Sequence, residues 1–136
     1  MSTVLTFGTF DLLHPGHLHF LKQAKKYGDK LTVVVSRDCH VEQFKNRTPR
    51  LKEKDRLKMI KSLKIVDLAI LGDRKFNYEH LVKKIKPDII ALGYDQEPES
   101  TETIKQRLAR YNLYPRIIRL KPYKPEKYKS SLLAER

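Results

Sequence analysis

Five short apolar runs alternate with longer segments of helical periodicity along the 136 residues of this chain. Strands separated by helices form βαβ units, since parallel neighbours need a crossover of about a dozen residues or more. Such crossovers are right-handed, so the alternation predicts an α/β fold with one doubly wound, five-stranded parallel sheet in the usual order 3-2-1-4-5. The predicted strands are 3–5, 31–35, 66–71, 88–92 and 116–120.

The predicted helices fill the intervals between these strands. They are 15–26, 40–45, 52–63, 77–86 and 102–112, and a short capped helix is predicted over 130–136. In the first of them, Leu18, Leu21 and Ala24 recur at helical spacing and indicate a buried face. Ligands of such sheets bind beyond the carboxyl ends of the strands, where the strand order reverses. The turns after strands one and four are therefore the predicted site.

The turn after the first strand carries the most informative residues. It reads Thr6-Phe7-Gly8-Thr9-Phe10-Asp11-Leu12-Leu13-His14-Pro15-Gly16-His17. Pro15 suits the first helical position, so His14 is expected at the helix start, with His17 three residues on along the same face. Unpaired backbone N–H groups at a helix N-terminus bind anions, and here two imidazoles flank them. This arrangement predicts a phosphate-handling site.

Two other interpretations of the histidine pair stay open at this point. Either ring can be a helix cap or a satisfied surface group, because His-x-x-His is a common pattern. Metal binding is disfavoured, since two histidines with one cysteine, Cys39, make a poor zinc set. The preceding strand, the following helix and the two glycines favour the phosphate site.

The segment Gly8-Thr9-Phe10-Asp11 followed by His14-Pro15-Gly16-His17 resembles the signature of the nucleotidylyltransferase superfamily, in its cytidylyltransferase-like branch. The resemblance covers nearly the whole chain and implies a Rossmann-like fold. It also implies transfer of a nucleoside monophosphate from a nucleoside triphosphate to a phosphate-bearing acceptor, with release of pyrophosphate. There is no P-loop lysine and no Gly-x-Gly-x-x-Gly, so an ordinary kinase or a dinucleotide oxidoreductase is not supported.

The resemblance assigns roles to individual residues. His14 and His17 would stabilise the α-phosphate in the transition state. Asp11 would orient the turn or help to hold Mg²⁺ or another divalent cation, although it can also be only a turn cap. Arg56 would reach a phosphate or form an outward salt bridge. The expected nucleotide contacts are Gly8, Thr9, Phe10, Lys22, Lys45, Arg47, Gly93, Tyr94, Asp95, Gln96, Ser130 and Ser131.

The phosphate of the acceptor can attack the nucleotide without activation by the protein. A phosphate monoester has a second pKa of about 6 and is largely dianionic near neutral pH, so no general base is needed. Positioning, and neutralisation of charge on the phosphoryl oxygens, can supply the catalysis.

Two close groups compete for the substrates. Leu92-Gly93-Tyr94-Asp95-Gln96, the chain length and the paired serines resemble the archaeal FAD synthases, which adenylylate FMN with ATP. The glycerol-3-phosphate cytidylyltransferases share the first motif but typically end in Arg-Thr followed by Ile-Ser-Thr-Thr. Here the tail reads Tyr128-Lys129-Ser130-Ser131. We therefore expect ATP and FMN, with CTP and glycerol 3-phosphate as the alternative, ahead of pantetheine-phosphate or nicotinamide-mononucleotide adenylyltransferases.

The charge balance bears on partners. The formal net charge is +13 at pH 7, which suits nucleic acid or a small polyanionic substrate. Cationic residues spread through every predicted helix without interleaved aromatics, so the small substrate is favoured. A basic nucleic-acid-binding domain is the non-enzyme alternative.

We expect one domain over residues 1–136. With a single cysteine, no signal-peptide pattern and no apolar run near the roughly 18 residues of a membrane span, we expect it in the cytoplasm without a membrane partner. The resembled family is commonly dimeric, which implies a homodimer.

Overall fold

The computed structural model describes residues 2–11, 13–45, 49–72, 78–93 and 101–120, without the side chains of residues 40, 43–45 and 78. Five strands and five helices alternate in this part of the chain, with two helices between the second and third strands. They are β1 (Thr3–Gly8), α1 (Pro15–Lys25), β2 (Lys30–Val35), α2 (Asp38–Lys45), α3 (Glu53–Lys61), β3 (Leu68–Leu71), α4 (Tyr78–Ile85), β4 (Ile89–Leu92), α5 (Thr101–Ala109) and β5 (Arg116–Arg119).

All strands form one parallel sheet in the order β3-β2-β1-β4-β5, which confirms the predicted topology. β1 lies at the centre, and its Thr6 pairs with Val33 of β2 and with Ala91 of β4. The Thr6 hydroxyl also donates to the Ala91 carbonyl at 2.9 Å. Gly8 and Gly93 each lie two residues beyond that pair, so the ends of β1 and β4 are neighbours at one edge of the sheet.

Two apolar cores cover the two faces of the sheet. Leu21 and Ala24 of α1 and Ile60 of α3 pack on one face. Leu81 and Val82 of α4, with Ile104 and Leu108 of α5, pack on the other. The β1–β4 boundary is therefore the place where the connections switch faces, as in doubly wound sheets.

Most of the helices and strands begin or end one to three residues away from the predicted positions. β1 extends through Gly8, three residues further than predicted, because its ladder with β2 continues to the Gly8–Val35 pair. β3 begins at Leu68 rather than at residue 66. Gly28 lies three residues beyond α1, and a Cβ there would lie 2.8 Å from a Val4 methyl group. Its small size is needed for close packing on β1.

No described helix combines the length and apolar character that a membrane crossing requires. The predicted helix over 130–136 lies outside the described residues, and so do the positions of Arg47, Tyr94, Asp95, Gln96, Ser130 and Ser131.

Candidate active site

The two histidines of the β1–α1 turn form a reciprocal cap at the start of α1. Nδ1 of His14, the N-cap residue, accepts the backbone N–H of Gly16 at 3.0 Å. Nδ1 of His17 accepts the backbone N–H of His14 at 3.3 Å. The rings stack with their centroids 3.8 Å apart and their planes 25° from parallel. The predicted helix start and the proximity of the two rings are both confirmed.

This cap determines where the ring protons lie. A nitrogen that accepts a hydrogen bond carries no proton, so each neutral ring carries its proton on Nε2. Burial lowers the pKa of His14, which favours the neutral ring. Protonation of Nδ1 would also remove the acceptor for Gly16. The turn therefore holds two stacked imidazoles, and each ring in its neutral form carries an Nε2–H group of the kind that donates to phosphoryl oxygens.

Phe10 is buried within this turn and contacts His17. Its φ is 52°, in the left-handed region that non-glycine residues rarely adopt. Phe10 is only 4% exposed, and its ring meets His17 edge to face at 5.3 Å. A Cβ on Gly8 would lie 2.4 Å from the Phe10 ring. The glycine thus makes room for a side chain of the same turn, and the nucleotide contacts of Gly8 and Phe10 stay predictions.

Asp11 is 2% exposed and holds the segment before α3. Its two carboxylate oxygens accept the backbone N–H groups of Arg50 and Leu51, each at 2.8 Å. The expected role of orienting the turn is therefore present in the structure. Holding a metal stays a prediction: each oxygen keeps a lone pair beyond its hydrogen bond, and a metal there would share the carboxylate with two backbone N–H groups.

Of the two contacts expected for Arg56, the salt bridge is present but buried rather than outward, and the phosphate contact stays a prediction. The side chain is fully buried, and its guanidinium pairs with Asp38 at 2.6 Å. Its Nη1 donates to the carbonyls of Thr9 and Ser36 at 2.9 and 2.7 Å. Thr9, predicted to contact phosphates through its backbone, thus has its carbonyl bonded to Arg56.

The β4 side of the site is described only as far as Gly93. This glycine is buried, and its carbonyl accepts Nη1 of Arg119 from the end of β5 at 3.3 Å. Arg119 was not among the predicted site residues. Its position at the carboxyl end of an edge strand next to β4 was the signal that could have indicated it.

Lys22 is exposed and lies in the last turn of α1. Five residues from His17, it is about 140° around the helix and about 7.5 Å along its axis. The structure does not bring it to the histidine turn, and its nucleotide-binding role stays a prediction. Lys45 ends α2, and its side chain lies outside what the structure describes.

A protein-built metal centre is not formed by these residues. Within the described ranges, no three His, Cys, Asp or Glu side chains come together in a way that could hold a metal ion. Magnesium commonly reaches enzymes of phosphate chemistry together with the substrate phosphates. A divalent cation would therefore arrive as part of the nucleotide substrate.

A model of the family described as cytidylyltransferase-like matches residues 5–136. The chain belongs to the cytidylyltransferase-like family. Among the curated relatives of this cytidylyltransferase-like chain are three archaeal proteins named FAD synthase. Those of Methanosarcina barkeri, Methanosarcina mazei and Methanohalophilus mahii are 47%, 46% and 43% identical over 88–90% of this chain and 84%, 77% and 84% of their own lengths.

Solved structures agree on the fold. The lipopolysaccharide core biosynthesis protein of Thermoplasma volcanium is similar at 39% identity and a TM-score of 0.85, over 91% of this chain and 99% of its own. A pantoate–β-alanine ligase from Francisella tularensis matches at 15% identity and a TM-score of 0.60, over 98% of this chain and 67% of its own. At that identity the second likeness shows the architecture alone.

In a cytidylyltransferase-like chain, the described geometry is compatible with phosphate chemistry at the α1 N-terminus. A helix N-terminus and imidazole N–H groups are the kinds of donor that stabilise charge developing on a phosphoryl group. No described residue is placed as a general base, and none is required for an acceptor that is already dianionic. Such a site can position the reacting phosphates and stabilise the negative charge on them.

Proposed function

We propose that this chain transfers AMP from ATP to FMN, giving FAD and pyrophosphate. An oxygen of the FMN phosphate attacks the α-phosphorus of ATP, a new P–O–P bond forms, and the bond to the β-phosphate oxygen breaks. The electron pair of that bond leaves with pyrophosphate. His14 and His17 donate through Nε2–H to the oxygens of the reacting phosphorus, where negative charge accumulates.

The observation that carries this proposal is the identity of 43–47% with proteins named FAD synthase over at least 77% of their lengths. The stacked histidines in the turn after β1 support the same chemistry independently. The formal charge of +13 suits two polyanionic substrates, because a positive field raises the local concentration of both.

The test is pyrophosphate release with ATP or CTP, each combined with FMN or glycerol 3-phosphate, in the presence of Mg²⁺. We expect release with ATP and FMN only, together with FAD identified by chromatography. Release with CTP and glycerol 3-phosphate only would replace the proposal with the runner-up activity. A His17→Ala variant with native circular dichroism is the control, and it should be inactive in every combination.

We further propose a cytoplasmic homodimer that uses Mg²⁺ with its nucleotide. The lone Cys39, exposed in the structure, supports a reducing compartment. The edge strand β3 leaves Leu68 half exposed (51%), beside a groove that Thr32 and Ile70 also line, and this supports association between copies. Sedimentation equilibrium tests the dimer, and a mass of 16.1 kDa would contradict it.

A further inference from the structure

Arg56 is the largest fully buried side chain in the described part of the molecule. Its guanidinium reaches three separate segments: Thr9 after β1, Ser36 and Asp38 after β2, and Leu51 before α3. Three of these four acceptors are backbone carbonyls. A buried arginine is costly unless its donors are satisfied, and here Nε, Nη1 and Nη2 all have partners on the chain. These hydrogen bonds of the Arg56 guanidinium all go to the protein itself.

The partner carboxylate is itself held in place. Asp38 accepts the backbone N–H of Glu53 on its second oxygen at 3.2 Å. Glu53 accepts the backbone N–H of Asp38 at 2.9 Å and the guanidinium of Arg37 at 3.0 Å. The start of α2 and the start of α3 therefore cap each other. This fixes the orientation of the Arg56 guanidinium.

The contact with Thr9 leads directly to the histidines. The Thr9 carbonyl belongs to the peptide that precedes Phe10, the residue with φ at 52°. Ordinary residues rarely adopt a left-handed conformation, so the surrounding contacts must hold it. The Phe10 ring then meets His17 at 5.3 Å. One side chain on α3 is thus linked to the catalytic ring through a single strained residue.

We propose that Arg56 is a positioning residue of the histidine turn, which fixes the Thr9 carbonyl and thereby the left-handed Phe10 on which His17 rests. It does not touch the substrates. Its loss leaves nucleotide affinity in place and slows the chemical step, because the Nε2–H donors no longer meet the developing charge.

The test compares Arg56→Lys with Arg37→Lys. Both changes remove a guanidinium from the same hydrogen-bonded group of residues, but Arg37 contacts Gly72 and Glu53 and not the histidine turn. We expect Arg56→Lys to lower kcat at least tenfold with the KM for ATP within twofold, and Arg37→Lys to stay within twofold in both. A rise in KM at constant kcat for Arg56→Lys would overturn the proposal.

A second variant covers the case in which Arg56→Lys does not fold. Phe10→Leu keeps the Arg56 contacts and removes the ring edge on His17, so it should lower kcat similarly. Where both single variants fold, their combination should lose no more than the larger single loss, since they act through one path. Losses that multiply would contradict the proposal, as would wild-type kcat in Phe10→Leu.

The kcat and KM measurements rest on the proposed function. A measurement made without substrate therefore separates the positioning role of Arg56 from the proposed activity. ¹⁵N spectra of the histidine rings in the wild type should show protons on Nε2 of His14 and His17. Arg56→Lys and Phe10→Leu should mix the tautomers, and Arg37→Lys should not. If the wild type makes no FAD while this pattern holds, the activity proposal fails and the positioning role stands. Unchanged spectra in both variants would refute the positioning role, whatever the activity.

Discussion

His14 and His17 cap the start of α1 reciprocally. The backbone N–H of His14 donates to Nδ1 of His17, and the ring of His14 accepts the first backbone N–H groups of the same helix. The interpretation as a helix cap is therefore confirmed, and the catalytic role stays a prediction. The two are compatible, because each ring uses Nδ1 for the cap and a neutral ring carries its proton on Nε2.

His14→Asn should separate these two roles. Asparagine is a good N-cap, so the free energy of unfolding should change little, whereas His14→Ala should lose about 0.5–2 kcal/mol. Turnover should fall about 10²–10³-fold in both, the usual loss for one transition-state donor. Urea unfolding and initial rates measure the two quantities, and an active His14→Asn variant would show that the imidazole is dispensable.

Stability should fall at acid pH because of His14. Burial lowers the pKa of His14 below its usual value of 6.5, so the unfolded chain binds more protons between the folded-state pKa and pH 6.5. The stabilising contribution of this ring is complete above pH 6.5 and is lost as the pH falls through that window. Urea unfolding from pH 5 to 8 should show a steeper loss in the wild type than in His14→Asn. Parallel curves would contradict the assignment.

Asp11→Asn should lower stability without changing the magnesium requirement. An amide can accept on one side only, so either Arg50 or Leu51 loses its acceptor, at about 1–3 kcal/mol. The Mg²⁺ concentration for half-maximal rate should stay within twofold, because the carboxylate serves the backbone. Asp29→Asn, an exposed carboxylate near Ser2, is the charge-matched control. A large rise in the magnesium requirement would place Asp11 at the metal instead.

Gly8→Ala should disturb the turn by steric conflict. The new methyl group would lie 2.4 Å from two carbons of the Phe10 ring, and overpacking of this kind costs about 1–3 kcal/mol. Gly72→Ala is the control, since its Cβ would be 3.5 Å from the nearest atom. Adding Phe10→Leu to Gly8→Ala should restore part of the stability, as thermal unfolding would show. A Gly8→Ala protein as stable and active as Gly72→Ala would refute the packing described here.

The fold followed from the sequence because alternation and crossover handedness leave few topologies for five strands. The burial of Arg56 was not predicted, because charged residues on a helix are normally exposed. The available signal was Ile60, which lies four residues on along the same helix face and is buried. The Gly8–Phe10 contact could not be predicted, since it depends on the left-handed φ of Phe10. Spacing alone could place the two histidines together, but could not show that they cap each other.

The central position of β1 has a consequence for synthesis. The histidine turn is synthesised well before β4, one neighbour of its strand, which begins only at Ile89. Contacts between such distant segments form slowly. A nascent chain therefore carries the histidine turn on a strand with one open edge until β4 has been made, and interrupted synthesis would leave that edge available for wrong pairing.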